Sequence, residues 1–213
     1  MLTVGPLQEN CYLVRASADA GTAVMVDPGE EAERLIAAVE GAGVALEAIL
    51  LTHCHFDHIG AVAPVARATG AQVWCPEIET DLLTDLMTYM PYPEFGPYES
   101  YEPEHTVSGG EVLELAGMEI DVLFTPGHSP GHVTYAPRAA NAIFSGDVLF
   151  QGSIGRTDFP RGNHQQLLDS ITQRLWPMGD ETAFIPGHGP MSTFGHERAT
   201  NPFVGDRVLC GAR

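Results

Sequence analysis

The chain has 213 residues, of which 44% are hydrophobic, enough to bury one sizeable core. The formal net charge is −18 and all ten basic residues are arginine, which excludes nucleic-acid binding because that needs clustered positive charge. The missing lysine also excludes Schiff-base chemistry and a phosphate-binding loop lysine.

Short apolar runs typical of β-strands recur along the chain. They are residues 11–16, 23–27, 48–52, 72–75, 111–115, 118–124, 132–136, 142–146 and 182–186. Between them, residues 30–43 carry apolar side chains at helical spacing and end at glycine. Residues 163–176 form a second helical pattern, with Asn163 as its N-cap. Pairs of short strands mixed with helices predict an α/β protein with two sheets covered by helices.

The sequence predicts one domain over residues 1–213, with no membrane partner. Its longest apolar run is far shorter than a membrane span, and its N-terminal segment lacks the pattern of a secretory signal. The four cysteines are dispersed without a C-x-x-C pair, which argues against a zinc ribbon or a disulfide framework. Free thiols fit a reducing compartment, so we expect a cytoplasmic protein.

The stretch LLTHCHFDHIG places three histidines and one aspartate close together at the end of an apolar run. In an extended segment alternate side chains point the same way, so we expect His53, His55 and Asp57 on one side. Cys54 then faces the other side, as a structural residue. His58 breaks the alternation, and a helix is predicted to begin near residue 59. Imidazole and carboxylate ligands suit zinc or iron, so the stretch predicts a metal site.

Three further candidate ligands follow later strands. His128 comes after MEIDVLF, Asp147 after AIFSG and His188 after TAFIP, each beside a glycine that lets the backbone turn closely. Together with the first cluster they give five histidines and two aspartates, enough for two adjacent metal positions. One aspartate would bridge the two, and a water or hydroxide would complete the coordination. His132 follows His128 by four positions and either orients a ligand or is structural.

An aromatic segment is a candidate for substrate contacts. Residues 87–105 contain four prolines and five aromatic residues without periodicity. Such a long segment is either a plain surface loop or an aromatic wall over a pocket. In the second case Tyr92 and Phe95 are the candidate contact residues.

Two arginines in the stretch GRTDFPRG are the other substrate candidates. The forked guanidinium groups of Arg156 and Arg161 are suited to recognise a substrate carboxylate. In the alternative that we favour slightly, Arg156 pairs with Asp158 and braces the loop.

The motifs THCHFDHIG, TPGHSPGH, SGD and PGHGP, in this order, resemble the metallo-β-lactamase-fold hydrolases over residues 10–202. The resemblance implies a four-layer αββα sandwich with the metal site at one edge of the two sheets. It also implies two divalent metal ions, zinc in the first place, with iron and manganese as alternatives. The ligands that the family's arrangement implies are His53, His55 and His128 for the first metal, Asp57, His58 and His188 for the second, and Asp147 as the bridge.

Within this superfamily the chain looks most like the small bacterial branch of glyoxalase II, the hydroxyacylglutathione hydrolases. True β-lactamases carry a cysteine ligand where this chain has Asp147, and diiron flavoproteins replace His55 by a carboxylate. RNA-processing members are expected to have basic surfaces. Larger glyoxalase II enzymes hold glutathione with basic residues on a C-terminal helical extension, whereas only a short tail follows His188 here. The resemblance therefore implies a small-molecule acyl thioester such as S-lactoylglutathione more firmly than it implies glutathione specificity.

The implied mechanism is attack on the thioester carbonyl by a metal-bridging hydroxide, with Asp57 or Asp147 orienting it. Metal binding lowers the pKa of water from 15.7 to about 7, and a thiolate leaves without a strong acid. One alternative is a persulfide dioxygenase, which the GRTDF stretch also resembles. That enzyme uses a single iron, here held by His53 or His55 with His128 and Asp147. Another alternative is a non-catalytic zinc module, but seven candidate ligands exceed the four that a structural zinc needs.

Overall fold

The computed structural model describes residues 1–90, 92 and 94–211, except for the side chain of Cys210, and contains two facing β-sheets with helices on both outer faces. The first sheet contains, in spatial order, β1 (Leu2–Val4), β2 (Glu9–Val14), β3 (Thr22–Val26), β4 (Ala45–Leu50), β5 (Gln72–Pro76) and β6 (His105–Val107). The second contains β7 (Val112–Leu115), β8 (Met118–Phe124), β9 (Val133–Pro137), β10 (Ala142–Gly146), β13 (Ala183–Pro186) and β14 (Ser192–Thr193). A small hairpin, β11 (Leu149–Phe150) and β12 (Ser153–Ile154), follows β10.

Helices cover the outer faces of both sheets. They are α1 (Ala32–Ala42), α2 (Phe56–Ile59), α3 (Val62–Thr69), α4 (Thr80–Thr84), α5 (Leu86–Tyr89), α6 (His164–Asp169), α7 (Phe194–Thr200) and α8 (Asp206–Gly211). Short 3₁₀ turns occupy Glu77–Glu79 and Trp176–Met178, and α6 continues as a π-helical turn over Ser170–Leu175. None of the helices in the described ranges is long and apolar enough to cross a bilayer.

Strand β4 shows why the two sheets stack as they do. Its end is apolar at every position, and successive side chains point to opposite faces. Ala48 and Leu50 pack in the core between the sheets, whereas Ile49 and Leu51 pack under the helices. A third apolar cluster lies between the second sheet and the C-terminal helices. The predicted αββα class is confirmed, since a strand buried on both faces needs a cover on each side.

Strand direction brings the loops of both sheets to one edge. Strands β3, β4 and β5 are mutually parallel in the first sheet, and β10 is parallel to β13 in the second. Their carboxyl ends therefore lie at the same edge within each sheet. Hydrogen bonds join the sheets there, because the Tyr12 hydroxyl donates to the Pro186 carbonyl at 2.7 Å. The Val133 amide likewise donates to the Thr52 carbonyl at 2.8 Å.

All nine strands predicted from the sequence occur, and Asn163 caps α6 as predicted, accepting a hydrogen bond from the Gln166 amide. The helix predicted to begin near residue 59 occurs as α3, which begins at Val62, but the short helix α2 before it was not predicted. Helix α2 begins at Phe56, where the His58 amide already donates to the His55 carbonyl at 2.9 Å. Asp57 is thus on a helical turn, and the extended alternation expected for it ends at His55.

The aromatic segment over residues 87–105 is irregular between 94 and 104, as its lack of periodicity predicted. Helix α5 extends into its beginning and β6 begins at its last residue. Pro91 and Pro93, which belong to the same prediction, lie outside the described residues.

Candidate metal centre

Three imidazoles from two loops converge at the shared edge of the sheets. His53 and His55 follow β4, and His128 follows β8. The Nε2 atoms of His53 and His128 lie 3.0 Å and 2.9 Å from Nδ1 of His55. Nitrogens bound tetrahedrally to zinc at 2.0–2.1 Å are about 3.3 Å apart, so this spacing fits three ligands around one ion.

A second group combines imidazole and carboxylate. Asp57 and His58 lie on α2, and His188 follows β13. Nε2 of His188 lies 3.3 Å from Oδ2 of Asp57, and Nε2 of His58 lies 4.0 Å from the same oxygen. The His58 ring is fully buried, and its Nε2 has no hydrogen-bond partner among the described residues. An unpartnered buried nitrogen that faces a carboxylate and a second imidazole is a suitable metal ligand.

The carboxylate of Asp147 lies between the two groups. Its Oδ1 is 3.5 Å from Nε2 of His58, and its Oδ2 is 3.6 Å from Nε2 of both His128 and His188. These separations exceed a good hydrogen bond, and Oδ1 is buried without a partner in the described part of the chain. Gly187 makes the approach feasible, because a Cβ there would lie 2.4 Å from Oδ1.

A buried carboxylate that the sequence reading missed orients ligands of both groups. Oδ2 of Asp27 accepts a hydrogen bond from the Thr52 hydroxyl at 2.6 Å and lies 3.0 Å from Nδ1 of His58. The same hydroxyl lies 3.1 Å from Nδ1 of His53. With Nδ1 donating in each ring, Nε2 of both histidines is free to bind a metal. The available signal was the stretch AVMVDPG, in which Asp27 ends an apolar strand before glycine.

The loops that bear His128 and Asp147 are braced in the same way. Nδ1 of His128 lies 2.8 Å from the carbonyl oxygen of Arg156 and donates to it. His132 is fully buried, and its Nε2 accepts a hydrogen bond from the Asp147 amide at 3.1 Å. Its Nδ1 lies 3.1 Å from the Thr125 hydroxyl. Of the two roles left open for His132, the structure favours positioning, through the backbone of Asp147.

The two groups differ in electrostatics. Burial, reinforced by neighbouring imidazoles, lowers the pKa of His55 to about 3 and holds the pKa of His53 well below its usual value. Burial alone would also lower the pKa of His58, but the carboxylates of Asp147 and Asp57 raise it above the usual 6.5. Burial alone would raise the pKa of Asp147, but the imidazoles of His58, then His128 and His188, hold it well below its usual range.

The family follows from comparison with known proteins. Residues 4–188 match the Metallo-beta-lactamase superfamily. The chain belongs to this superfamily. Hydroxyacylglutathione hydrolase GloC of Haemophilus influenzae is 37% identical over 210 residues, which cover 97% of this chain and 98% of that protein. The resemblance read from the motifs is confirmed.

Solved structures of the metallo-β-lactamase superfamily show the same fold. BLEG-1, described as a B3 metallo-beta-lactamase, is 39% identical with a TM-score of 0.88, covering 95% of this chain and 97% of that one. TTHA1623, solved in a di-iron-bound form, is 39% identical with a TM-score of 0.84, covering 95% and 98%. ETHE1 from Myxococcus xanthus is 28% identical with a TM-score of 0.78, covering 96% and 83%.

The predicted arginine contacts are exposed on this metallo-β-lactamase fold. Arg156 pairs with Asp158 through two hydrogen bonds of 2.7 Å, which is the bracing role that the sequence favoured. Its guanidinium also lies 4.0 Å from the ring centre of Phe159. The Phe159 ring packs edge-on against His55, with 5.2 Å between ring centres. The loop that Arg156 and Asp158 brace therefore covers one side of the candidate metal ligands. Arg161 is exposed.

The predicted aromatic contacts form a cluster beside α2. The rings of Tyr92 and Phe95 lie 5.8 Å and 5.2 Å from the ring of Phe56, the residue between His55 and Asp57. The aromatic segment therefore adjoins the loop that carries the candidate ligands. Cys54 has its Sγ 3.4 Å from Sγ of Cys75 in the core, on the side away from the histidines, as predicted.

Proposed function

We propose that the protein is a binuclear metallohydrolase that cleaves acyl thioesters such as S-lactoylglutathione. The position of Asp147 carries this proposal, because its two oxygens lie 3.5 Å and 3.6 Å from imidazoles of both ligand groups. The similarity to a protein named a hydroxyacylglutathione hydrolase supports the thioester substrate. The described cysteines are buried and free, which fits a reducing compartment such as the cytoplasm.

We assign the two metal positions from the two ligand groups. His53, His55 and His128 would hold the first ion, Asp57, His58 and His188 the second, and Asp147 would bridge them. Donor chemistry of this kind suits zinc, with iron and manganese as alternatives. Nε2 of His58 and Oδ1 of Asp147 are buried without hydrogen-bond partners among the described residues, which supports their assignment as metal ligands.

The ions, when bound, supply an activated water as the nucleophile and a Lewis acid for the carbonyl oxygen. The chain's own residues orient these partners. Imidazoles hold the pKa values of Asp57 and Asp147 below their usual range, so both carboxylates are ionised at neutral pH. Ionised carboxylates accept hydrogen bonds, and both are therefore suited to fix the direction of the attacking water. The departing thiolate needs no proton donor.

A second candidate activity is β-lactam hydrolysis. The similarity to BLEG-1 favours it, since that protein is described as a B3 metallo-beta-lactamase. The same activated water and the same carboxylates would serve an amide carbonyl, but an amine leaves less readily than a thiolate. We therefore place the thioester first.

An oxygen electrode run beside a thioester assay tests the proposal. Wild type is expected to cleave S-lactoylglutathione under argon, and His188→Ala is expected to lose this activity. His164→Ala, a change at an exposed histidine on α6, is the control and retains it. A chromogenic cephalosporin measures the second candidate in the same samples.

The opposite result supports a mononuclear iron persulfide dioxygenase. In that case wild type cleaves no thioester but consumes oxygen with glutathione persulfide. The uptake persists in His188→Ala, because that enzyme needs only His53 or His55 with His128 and Asp147. This pair of observations would overturn the hydrolase.

A further inference from the structure

Glu79 is a fully buried carboxylate at the end of the 3₁₀ turn that follows β5. Its Oε2 accepts a hydrogen bond from the Cys54 amide at 2.7 Å, and its Oε1 accepts one from the Gly131 amide at 2.7 Å. Both bonds are short, as expected for a carboxylate acceptor. The side chain is therefore held by two backbone donors, neither of which belongs to its own turn.

Each of these donors lies inside a loop of the candidate metal centre. Cys54 stands between His53 and His55, and Gly131 stands between His128 and His132. The first loop leaves the first sheet and the second loop leaves the second sheet. One carboxylate thus ties together the two loops whose imidazoles, those of His55 and His128, meet at 2.9 Å.

The contact at Gly131 depends on close approach. A Cβ built on Gly131 would lie 2.7 Å from Cγ of Glu79 and 3.1 Å from its Oε1. Any side chain at position 131 would therefore push the carboxylate away from the amide. A buried amide left without an acceptor is unfavourable, so the loop would have to move to find another partner.

We propose that Glu79 is a positioning residue that sets the distance between the two ligand loops and so the affinity of the first metal position. The inference rests on the proposed metal centre, but it concerns a residue that would not touch either ion. A carboxylate offers an acceptor oxygen to each loop, whereas an amide offers one acceptor and one donor. Glu79→Gln therefore releases one of the two loops while preserving the size of the side chain.

Glu197→Gln is the matched control. Glu197 is also fully buried, and it accepts hydrogen bonds from the Gly152 amide at 2.8 Å and the Ser192 hydroxyl at 2.6 Å. It lies on α7 and has no donor in the two loops that Glu79 joins. A loss caused only by disturbing a buried carboxylate would appear in both variants.

Two measurements on the full-length protein test the positioning role of Glu79 directly. Cobalt titration of metal-free protein, followed by visible absorption, gives the affinity of each position. Amide hydrogen exchange of the metal-free protein, followed by NMR, reports whether the Cys54 and Gly131 amides stay bonded.

In Glu79→Gln the first cobalt equivalent is expected to bind about 10- to 100-fold more weakly. At least one of the two amides should exchange faster, while Glu197→Gln keeps wild-type cobalt affinity. Gly131→Ala leaves the Glu79 carboxylate intact but displaces it, so it should weaken cobalt binding in the same way. This variant replaces Glu79→Gln in the test if Glu79→Gln does not fold.

Wild-type cobalt affinity in Glu79→Gln or in Gly131→Ala would overturn the inference, and so would an equal defect in Glu197→Gln. A wild type that binds fewer than two equivalents contradicts the binuclear centre itself rather than the role of Glu79. The two failures are thereby distinguished.

Discussion

The two ligand groups lie side by side but are built on different principles. His53, His55 and His128 are three imidazoles, and burial holds the pKa values of His53 and His55 low. Asp57, His58 and His188 include a carboxylate, and nearby carboxylates raise the pKa values of both histidines. His53 and His55 are therefore neutral before a metal arrives, whereas His58 and His188 hold their protons to a higher pH than an ordinary histidine.

This difference indicates how the centre is loaded. Ligands that are already deprotonated bind a cation without competition from protons. The first position should thus be the stable one, and the second should respond to pH and to changes in the surrounding carboxylates. Asp147 couples the two, because it faces imidazoles of both groups.

Removing the carboxylate of Asp147 should weaken metal binding at both positions. We expect Asp147→Ala to abolish hydrolysis and lower the metal content of both positions. The loss should exceed the roughly 100-fold typical of residues that only support a ligand. Metal analysis and thioester turnover measure it, and circular dichroism should show a folded protein because the strands are untouched. Wild-type turnover with wild-type metal content would refute the bridging role.

Asp27→Asn should have the next largest effect. The Asp27 carboxylate accepts hydrogen bonds from the backbone amide and the hydroxyl of Thr52, and it orients His58. The asparagine side chain offers only one acceptor oxygen for these contacts. We expect about a 10- to 100-fold loss of turnover, with the second position losing more affinity than the first. Cobalt titration separates the two positions. Equal losses at both would contradict the asymmetry described here.

Acidification should separate the two positions without any mutation. A raised pKa means that His58 and His188 take up protons at a higher pH than an ordinary histidine, and a protonated imidazole cannot bind metal. His53 and His55 stay neutral to a lower pH, because burial holds the pKa of His53 well below its usual value and lowers the pKa of His55 to about 3. The second metal should therefore leave at a higher pH than the first. Equilibrium dialysis against buffers of decreasing pH, with metal analysis, shows the order, and simultaneous release would contradict it.

The smallest effect is expected at Cys54. Its side chain packs in the core against Cys75, away from the imidazoles that flank it in sequence. Cys54→Ala should keep full metal content and most activity, and should cost about 1 kcal/mol of stability through lost packing. Thermal unfolding and metal analysis measure both. Loss of one metal equivalent would mean that the thiolate is a ligand.

The sequence predicted the features that are local in the chain. The nine longer strands were found because their apolar runs span several residues, whereas β1 and β6, with three residues each, are too short for a period to show. Helix α2 was missed because His53 and His55 fit an extended pattern, which the helix interrupts at Phe56.

Residues that act across the fold were harder to find. Asp27 and Glu79 support ligand loops that lie 25 or more positions away in sequence, so no spacing rule connects them. Asp27 carried a weak signal, a carboxylate at the end of an apolar strand, but its glycine comes two positions later, whereas Asp147 follows a glycine directly. Glu79 carried none, because its two acceptor bonds exist only once the sheets have packed together.

The metal stoichiometry of wild type and His188→Ala, purified without added metal and then titrated anaerobically, tests the binuclear centre most directly. We expect two equivalents in wild type and one tightly bound equivalent in His188→Ala, with thioester cleavage only in the wild type. A single iron in both proteins, with oxygen consumed by both, would contradict it.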